Sequence, residues 1–462
     1  MKLSFHGADR DVTGSCHLVE CADKKILIDC GLHQGSRELD QENANAFGFD
    51  PAAIDVFLLT HAHLDHCGRL PLLAKRGFRG EVVTTAASRE LARLVMLDAA
   101  HLQEEEARSR GRVAARRGRS EEAVAPLYSV VDALGCLDRF GRTAAYDQPV
   151  DVAPGVRARF VNAGHILGSA SILLELAENG RRTTVLFSGD LGKARNPLLL
   201  GRSDPPRAET VVMESTYGDR RHRPLDASID EFYSALSDTF ARGGNVVIPT
   251  FALERAQEVL FFIARGIERD RLPPAMQIFL DSPMAISATD VMEHHLDLVQ
   301  PDVAELIRKG HDPFRMPGLH YTRERAESSA LNQIHGGAVI MAGSGMCTGG
   351  RVRHHLKHNL WRPQSSVVFV GFAAAGTLAR RIIDGAKEVD ILGETIPVRA
   401  HIHTINGFSA HADQAELVAW HSETAARSTF LVHGEEATMR SLAPLLAGTR
   451  VELPEPHQSF EL

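Results

Sequence analysis

Short apolar runs alternate with polar clusters along the first half of the chain. Residues 25–29, 56–60, 157–161, 171–176, 183–187 and 210–213 are rich in β-branched residues and leucine, which predicts strands. Most of these runs end in a polar cluster, the pattern of a sheet that presents its functional edge through the loops that follow. Helical segments separate some of them, at 70–75 and 88–107. Between about 217 and 399 the rhythm changes to strand–helix–strand. Residues 245–250, 277–280, 338–342 and 367–370 read as strands and 254–264 as an amphipathic helix, and the last two strands each lead into a glycine-containing loop and a helix. That is α/β layering around a parallel sheet. From 400 onward the chain returns to short strands ending in histidine-rich loops. The order predicts a first domain over 1–216 and 400–462, interrupted by a second over 217–399.

One stretch stands apart. Glu104, Glu105 and Glu106 lead through Arg108, Arg110, Arg112, Arg116, Arg117 and Arg119 to Glu121 and Glu122. Its composition predicts a solvated helical hairpin between strands; the alternative is an arginine patch that guides a polyanion.

At 462 residues the chain has room for two or three domains of about 100–200 residues each, and 44% apolar with 24% charged residues is ordinary for a globular protein. No run approaches the roughly 20 apolar residues of a membrane span, and Met1 to Gly7 lacks the apolar core of a signal peptide. Six scattered cysteines without a Cys-x-x-Cys pair predict a reducing cytoplasm rather than a disulfide framework or thiolate zinc site. The net charge of −8 argues against a binder that works mainly by bulk electrostatics, so any nucleic-acid role must rest on a local site. Histidine changes the picture: there are 23, several grouped with Asp at ligand-like spacing.

The strongest group is His61-Ala62-His63-Leu64-Asp65-His66, directly after a predicted strand. Four metal-binding side chains in six residues make poor core material and are costly to bury unpaired. On the turn leaving a strand, His61 and His63 can converge on one ion while Asp65 and His66 face a second. Imidazole and carboxylate suit zinc best, with manganese or iron as alternatives.

This motif resembles the metallo-β-lactamase fold, and further segments fill that family's later slots: Ala163-Gly164-His165, Ser188-Gly189-Asp190 and Ile28-Asp29-Cys30. The chain is about twice as long as the small members of that fold. Three more motifs resemble the β-CASP nucleases: Val212-Met213-Glu214-Ser215-Thr216, Phe408-Ser409-Ala410-His411 and, 22 residues beyond His411, Leu431-Val432-His433. Within the insertion, Pro249-Thr250-Phe251-Ala252-Leu253-Glu254-Arg255, Asp281-Ser282-Pro283-Met284-Ala285 and Gly343-Ser344-Gly345-Met346-Cys347-Thr348-Gly349-Gly350-Arg351 are similar to that family as well. The resemblance spans nearly the whole chain. It implies an αββα metallo-β-lactamase sandwich with an inserted α/β β-CASP domain. In this family the last motif is His in RNA-cleaving members and Val in DNA-repair members, so His433 implies RNA.

The resemblance also implies roles. One metal would be held by His61, His63 and His165, the other by Asp65, His66 and His433, with Asp190 bridging and two Zn2+ as the expected ions (Mn2+ as alternative). His411 would protonate the leaving oxygen with Glu214 orienting it, and Asp29 would hold the ligand loop or the attacking water. On the substrate side, Ser409 beside His411, the loop carrying Gly345, and Arg351 and Arg353 at the start of a basic helix are expected to meet phosphates; the bland alternative for that helix is a solvated basic face. The expected function is a zinc-dependent ribonuclease acting on single-stranded RNA, as endonuclease, 5′→3′ exonuclease or both. Alternatives are a hydrolase of small esters or thioesters, and a nuclease active only within a complex. No membrane association is expected, and a homodimer stays open.

Overall fold

The computed structural model describes residues 1–35, 41–116, 125–371, 373–374 and 376–462. They divide into two compact units, Met1–Asn196 with Gly201–Arg221 and His411–Leu462, and Pro197–Leu200 with His222–Ala410.

The first unit is built on two seven-stranded sheets. One runs in the order Ser459–Glu461, Lys2–Phe5, His17–Cys21, Lys24–Ile28, Val56–Leu58, Glu81–Thr85, Phe140–Ala144. The other runs Arg450–Glu452, Ser428–Val432, Thr210–Glu214, Arg181–Phe187, Ala170–Glu178, Val156–Asn162, Pro149–Ala153. One continuous core holds the sheets face to face, drawing Leu3, Phe5, Ile26, Ile28 and Leu58 from the first and Phe160, Ile172, Leu174, Phe187 and Phe430 from the second. The alternate residues of the second sheet, Leu173, Leu186, Val211, Met213 and Leu431, point the other way. They pack against Leu417 and Trp420 of the helix Gln414–Thr424 and Met439 and Leu442 of the helix Glu436–Leu442. The period of two thus buries both faces of each central strand, which gives the helix–sheet–sheet–helix sandwich.

What positions the site is strand direction. Lys24–Ile28 pairs in parallel with Val56–Leu58. Thr210–Glu214 lies parallel between Arg181–Phe187 and Ser428–Val432. Five strands therefore deliver their C-terminal ends, where parallel sheets carry their chemistry, to one edge of the sandwich.

The second unit has a six-stranded parallel sheet ordered Leu319–Tyr321, Gln277–Leu280, Ala338–Ala342, Val246–Pro249, Ser366–Phe369, His401–Thr404. The α/β reading of the middle of the chain therefore stands, but its C-terminal limit moves. A short strand followed by a histidine-rich loop at 400 reads like the first domain, yet His401–Thr404 pairs with Ser366–Phe369, which carries the inserted unit on to Ala410.

The charged stretch begins on a helix that runs unbroken over Ala86–Arg116. On it Arg108 pairs with Glu104 and Arg110 with Glu106, each one turn apart. These two arginines are neutralised on their own helix, which favours the solvated reading over the polyanion guide. Residues 117–124, where the hairpin would turn, lie outside the described residues. Among the described residues no helix is long and apolar enough to cross a membrane.

One buried charge makes a testable point about stability. Asp9, in the turn between the first two strands, buries both carboxylate oxygens without a well-formed hydrogen bond. Burial pushes its pKa up to about 8, the Gly7 amide offsetting only part of this. The folded protein then keeps a proton that the unfolded chain gives up near pH 4, so this group's contribution to stability falls as pH rises from about 4 to 8. Asp9→Asn is expected to be more stable than wild type at pH 8 by on the order of a few kcal/mol, and so to melt higher, with the gap closing towards pH 4. Equal melting shifts at the two pH values would contradict this.

Candidate metal centre and active site

All seven proposed metal ligands lie in the first unit, at strand ends. His61, His63, Asp65 and His66 follow Val56–Leu58, the last two on a single helical turn, Leu64–Cys67. Asp190 follows Arg181–Phe187, and His433 follows Ser428–Val432 with its backbone in the left-handed region at φ 51°. Left-handed backbone in a non-glycine residue is strained and collects at functional positions. Asp29, at φ 58°, is a second case.

The donor atoms fall into two groups. In the first, His63 Nδ1 lies 3.1 Å from both His61 Nε2 and His165 Nε2, and Asp190 Oδ2 lies 3.4 Å from His61 Nε2 and 3.5 Å from His165 Nε2. Ligands about 2.0–2.1 Å from one tetrahedral ion stand about 3.3–3.4 Å apart, so this spacing fits a shared cation. In the second, His433 Nε2 is 3.3 Å from His66 Nε2 and 3.4 Å from Asp65 Oδ2. Asp190 turns its other oxygen, Oδ1, to within 3.3 Å of His66 Nε2. Asp190 is thus shared, and its Oδ1 is buried with no hydrogen-bond partner. A 1% exposed carboxylate with an orphaned oxygen among four imidazoles is a donor set that fits a cation.

The electrostatics agree. Burial pushes His61 down to about 3 and His63 to about 4, and takes His165 well below its ordinary value. These rings are neutral at pH 7 and offer lone pairs. Burial would raise Asp190, but His433, His66 and His61 hold its carboxyl well below the usual range. Burial likewise disfavours charge on His66, yet Asp190 and Asp29 override it and hold the ring protonated.

Hydrogen bonds behind the donors aim them. His61 Nδ1 meets the Thr60 hydroxyl at 3.0 Å, and that hydroxyl donates to Asp29 Oδ2 at 2.7 Å. His66 Nδ1 donates to the same oxygen at 2.7 Å, and the Thr60 amide donates to Asp29 Oδ1 at 2.8 Å. Each ring keeps Nε2 for the centre, the usual arrangement for a ligating histidine. Asp29 was expected to hold either the ligand loop or the attacking water. Its carboxylate is taken up by Thr60 and His66 and is only 2% exposed, the contacts of a residue that holds the ligand loop.

Two glycines make the loops fit. A Cβ on Gly31 would collide with the Asp65 carbonyl, and one on Gly192 with the Gly164 carbonyl. Neither glycine nor Thr60 carries a signal that marks it in the sequence, because each works through a neighbour's backbone or ring.

Beside the donors stands a third group, Asp190, Glu214 and His411. Glu214 Oε1 accepts from Leu191 N at 2.7 Å and meets His411 Nδ1 at 3.1 Å, while Oε2 accepts from Thr216 N at 3.1 Å. A carboxylate so engaged orients an imidazole better than it binds a further ion. Burial alone would lower His411, but the Glu214 carboxylate raises it to about 9. The backbone of His411 bridges to Gly192, two residues past Asp190, and its side chain is 18% exposed.

The model of the Metallo-beta-lactamase superfamily matches residues 9–242, the Beta-Casp domain 256–382, and the Zn-dependent metallo-hydrolase RNA specificity domain 395–454. The chain is a β-CASP member of the metallo-β-lactamase superfamily. It is 40% identical over 450 residues to Ribonuclease TTHA0252 of Thermus thermophilus, covering 97% of this chain and 96% of that protein. It is 31% identical over 463 residues to Transcription termination factor FttA of Methanosarcina mazei, covering 96% of this chain and 68% of that one. A crystal structure of an Enterococcus faecalis protein of unknown function shares the fold, with a TM-score of 0.56 over 100% of this chain and 99% of that one at 12% identity.

The four expected substrate contacts of this β-CASP chain belong to the second unit. Ser409 is buried there. Gly345 lies in the loop after Ala338–Ala342, where a Cβ would press on the Phe251 ring. Arg351 departs from expectation. Its guanidinium pairs with the fully buried Asp281 at 2.7 Å and donates to the carbonyls of Thr322 and Arg323. The same carboxylate takes His355 Nε2 and the Ser328 hydroxyl, each at 2.6 Å. Arg351 and His355 are therefore braces of the inserted sheet rather than members of an open basic track, and Lys357 pairs with Glu394. Arg353 keeps a buried Nε without a partner. Because breaking a buried ion pair strands the remaining charge, Arg351→Ala is expected to cost about 3 kcal/mol of stability while leaving zinc binding by the chain unchanged. Melting with metal analysis checks both halves.

Proposed function

We propose that this protein is a metal-dependent ribonuclease that hydrolyses phosphodiester bonds of single-stranded RNA with two Zn2+ ions at the centre. The observation that carries the reading is the sharing of Asp190 between two complete donor groups with the His411–Glu214 pair alongside. His61, His63 and His165 would hold one ion and Asp65, His66 and His433 the other. Ions so held supply Lewis acidity, bringing a water's pKa near neutrality and offsetting charge on the phosphate. The chain's own residues do the rest. Asp29 and Thr60 keep the ligand rings aimed. His411, held protonated by Glu214, passes its proton to the leaving oxygen. The relatives named for RNA cleavage and for transcription termination, and the RNA specificity domain spanning His411 and His433, support RNA as substrate. On the substrate side we retain Gly345, Arg353 and Ser409 as phosphate contacts. Six buried free cysteines suit a cytoplasmic setting.

The test is cleavage of 5′-labelled single-stranded RNA beside matched DNA by zinc-loaded protein, with Asp65→Ala as control. RNA-selective cleavage that disappears in the control is expected, and the product ladder separates endo- from exonuclease action. If zinc-replete protein leaves RNA intact but hydrolyses a small thioester, the ribonuclease reading fails.

A further inference from the structure

Thr216 touches both the Glu214 carboxylate and the ligand His433. It stands two residues past Glu214, the last residue of the strand Thr210–Glu214. Its amide donates to Glu214 Oε2 at 3.1 Å. Its hydroxyl lies 3.0 Å from His433 Nδ1 and donates to the His433 carbonyl at 3.2 Å. A threonine hydroxyl has one hydrogen. Both contacts are satisfied together only when the hydroxyl donates to the carbonyl and Nδ1–H donates to the hydroxyl. His433 then carries its hydrogen on Nδ1 and turns Nε2, 3.4 Å from Asp65 Oδ2 and 3.3 Å from His66 Nε2, to the second donor group.

The need for such a device comes from the backbone. His433 is left-handed at φ 51°, and its turn is held on two sides. Ser215 N donates to the His433 carbonyl at 3.3 Å, while His433 N donates to the Ala8 carbonyl at 2.9 Å and Gly434 N to that of Asp11 at 3.0 Å. The Ser215 hydroxyl donates to the Val432 carbonyl at 2.8 Å. These bonds place the Cα of His433 but leave its imidazole two tautomers. Among the proposed ligands it is 367 residues along the chain from His66, so no local sequence constraint aims it. Among the described residues the Thr216 hydroxyl makes the one hydrogen bond to its Nδ1, with Asp190 Oδ1 farther off at 3.6 Å.

We infer that Thr216 is the positioning residue that selects the Nδ1–H tautomer of His433, so that Nε2 faces the second ion. The inference rests on the two-ion reading above for its effect on metal and on the hydroxyl geometry alone for the tautomer. A hydrogen bond behind a ligating histidine typically carries 10- to 100-fold in metal affinity, so Thr216→Val, which keeps shape and removes the hydroxyl, is expected to weaken one of the two zinc equivalents by about 10- to 100-fold. Thr216→Ser, which restores the oxygen, should recover most of that loss.

The experiment pairs a zinc competition titration with imidazole 15N–1H correlation spectra of histidine-labelled protein. The His433 resonances are assigned by their loss in His433→Gln, and melting curves confirm that each variant folds. Expected are an Nδ1–H pattern for His433 in wild type and Thr216→Ser, and its loss in Thr216→Val together with one weakened equivalent. An Nε2–H pattern in wild type, or a Thr216→Val variant with unchanged spectrum and unchanged zinc affinity, overturns the inference. If wild type binds a single zinc while the tautomer still switches in Thr216→Val, the two-ion reading fails and the role of Thr216 stands.

Discussion

His411→Ala is expected to lose roughly 100- to 10,000-fold in turnover while keeping its full complement of zinc. The reasoning starts from what His411 touches. Its Nδ1 meets Glu214 at 3.1 Å and its ring lies against His165, with centroids 4.4 Å apart, yet it belongs to neither donor group around Asp190. Its side chain is 18% exposed, against 0% for His61 and 1% for His165. A protonated imidazole open to solvent beside a phosphodiester site is placed to give up a proton, and general acid catalysis of a poor leaving group supplies losses of that size. His63→Ala removes the nitrogen that stands 3.1 Å from two other donors and should lose metal as well as rate. Glu214→Gln should fall between, since the ring of His411 stays while the charge beside it is gone, and the one amide oxygen accepts from only one of Leu191 N and Thr216 N. Metal content beside single-turnover rates separates the three. Equal zinc loss in His411→Ala and His63→Ala would sink the division of labour.

That division was legible in the sequence only where chemistry is concentrated. His61, His63, Asp65 and His66 occupy six consecutive residues after an apolar run, and histidines and carboxylates at strand ends have few structural uses. The supporting residues are silent because their roles depend on partners far along the chain. Thr60 reaches Asp29, 31 residues away, and Thr216 reaches His433, 217 residues away; either threonine alone reads as an ordinary strand-end residue. Arg351 misled for a related reason. A basic helix after a glycine-rich loop reads as a phosphate track, but the buried carboxylate that claims Arg351 lies 70 residues earlier in Asp281-Ser282-Pro283. The strand His401–Thr404 was assigned to the wrong unit because histidine-rich composition resembles the ligand loops, whereas its hydrogen bonds to Ser366–Phe369 decide its sheet. Local pattern revealed the elements and the donors. Long-range pairing, which no local pattern encodes, decided what each donor leans on.

Asp190→Ala is expected to abolish RNA cleavage and to remove the stabilisation that zinc gives wild type. Asp190 turns its two oxygens to different donor groups, Oδ2 at 3.4 Å from His61 Nε2 and Oδ1 at 3.3 Å from His66 Nε2. On the two-ion reading proposed above, deleting it would take an anionic ligand from both ions at once, and the remaining ligands of the first group, three neutral imidazoles, offset none of a cation's charge. A ligand that binds only the folded state stabilises it by RT ln(1 + [L]/Kd), about 4 kcal/mol at a thousandfold excess over Kd. Wild type should therefore melt well above its chelator-treated form, whereas Asp190→Ala should melt at nearly the same temperature with and without zinc. Melting curves recorded without zinc check that the variant folds. His165→Ala provides the contrast. It takes one imidazole from the first group only, so one zinc equivalent and part of the melting shift should survive. If Asp190→Ala retained one equivalent of zinc at wild-type affinity, Asp190 would belong to a single ion and the bridged centre would have to be abandoned.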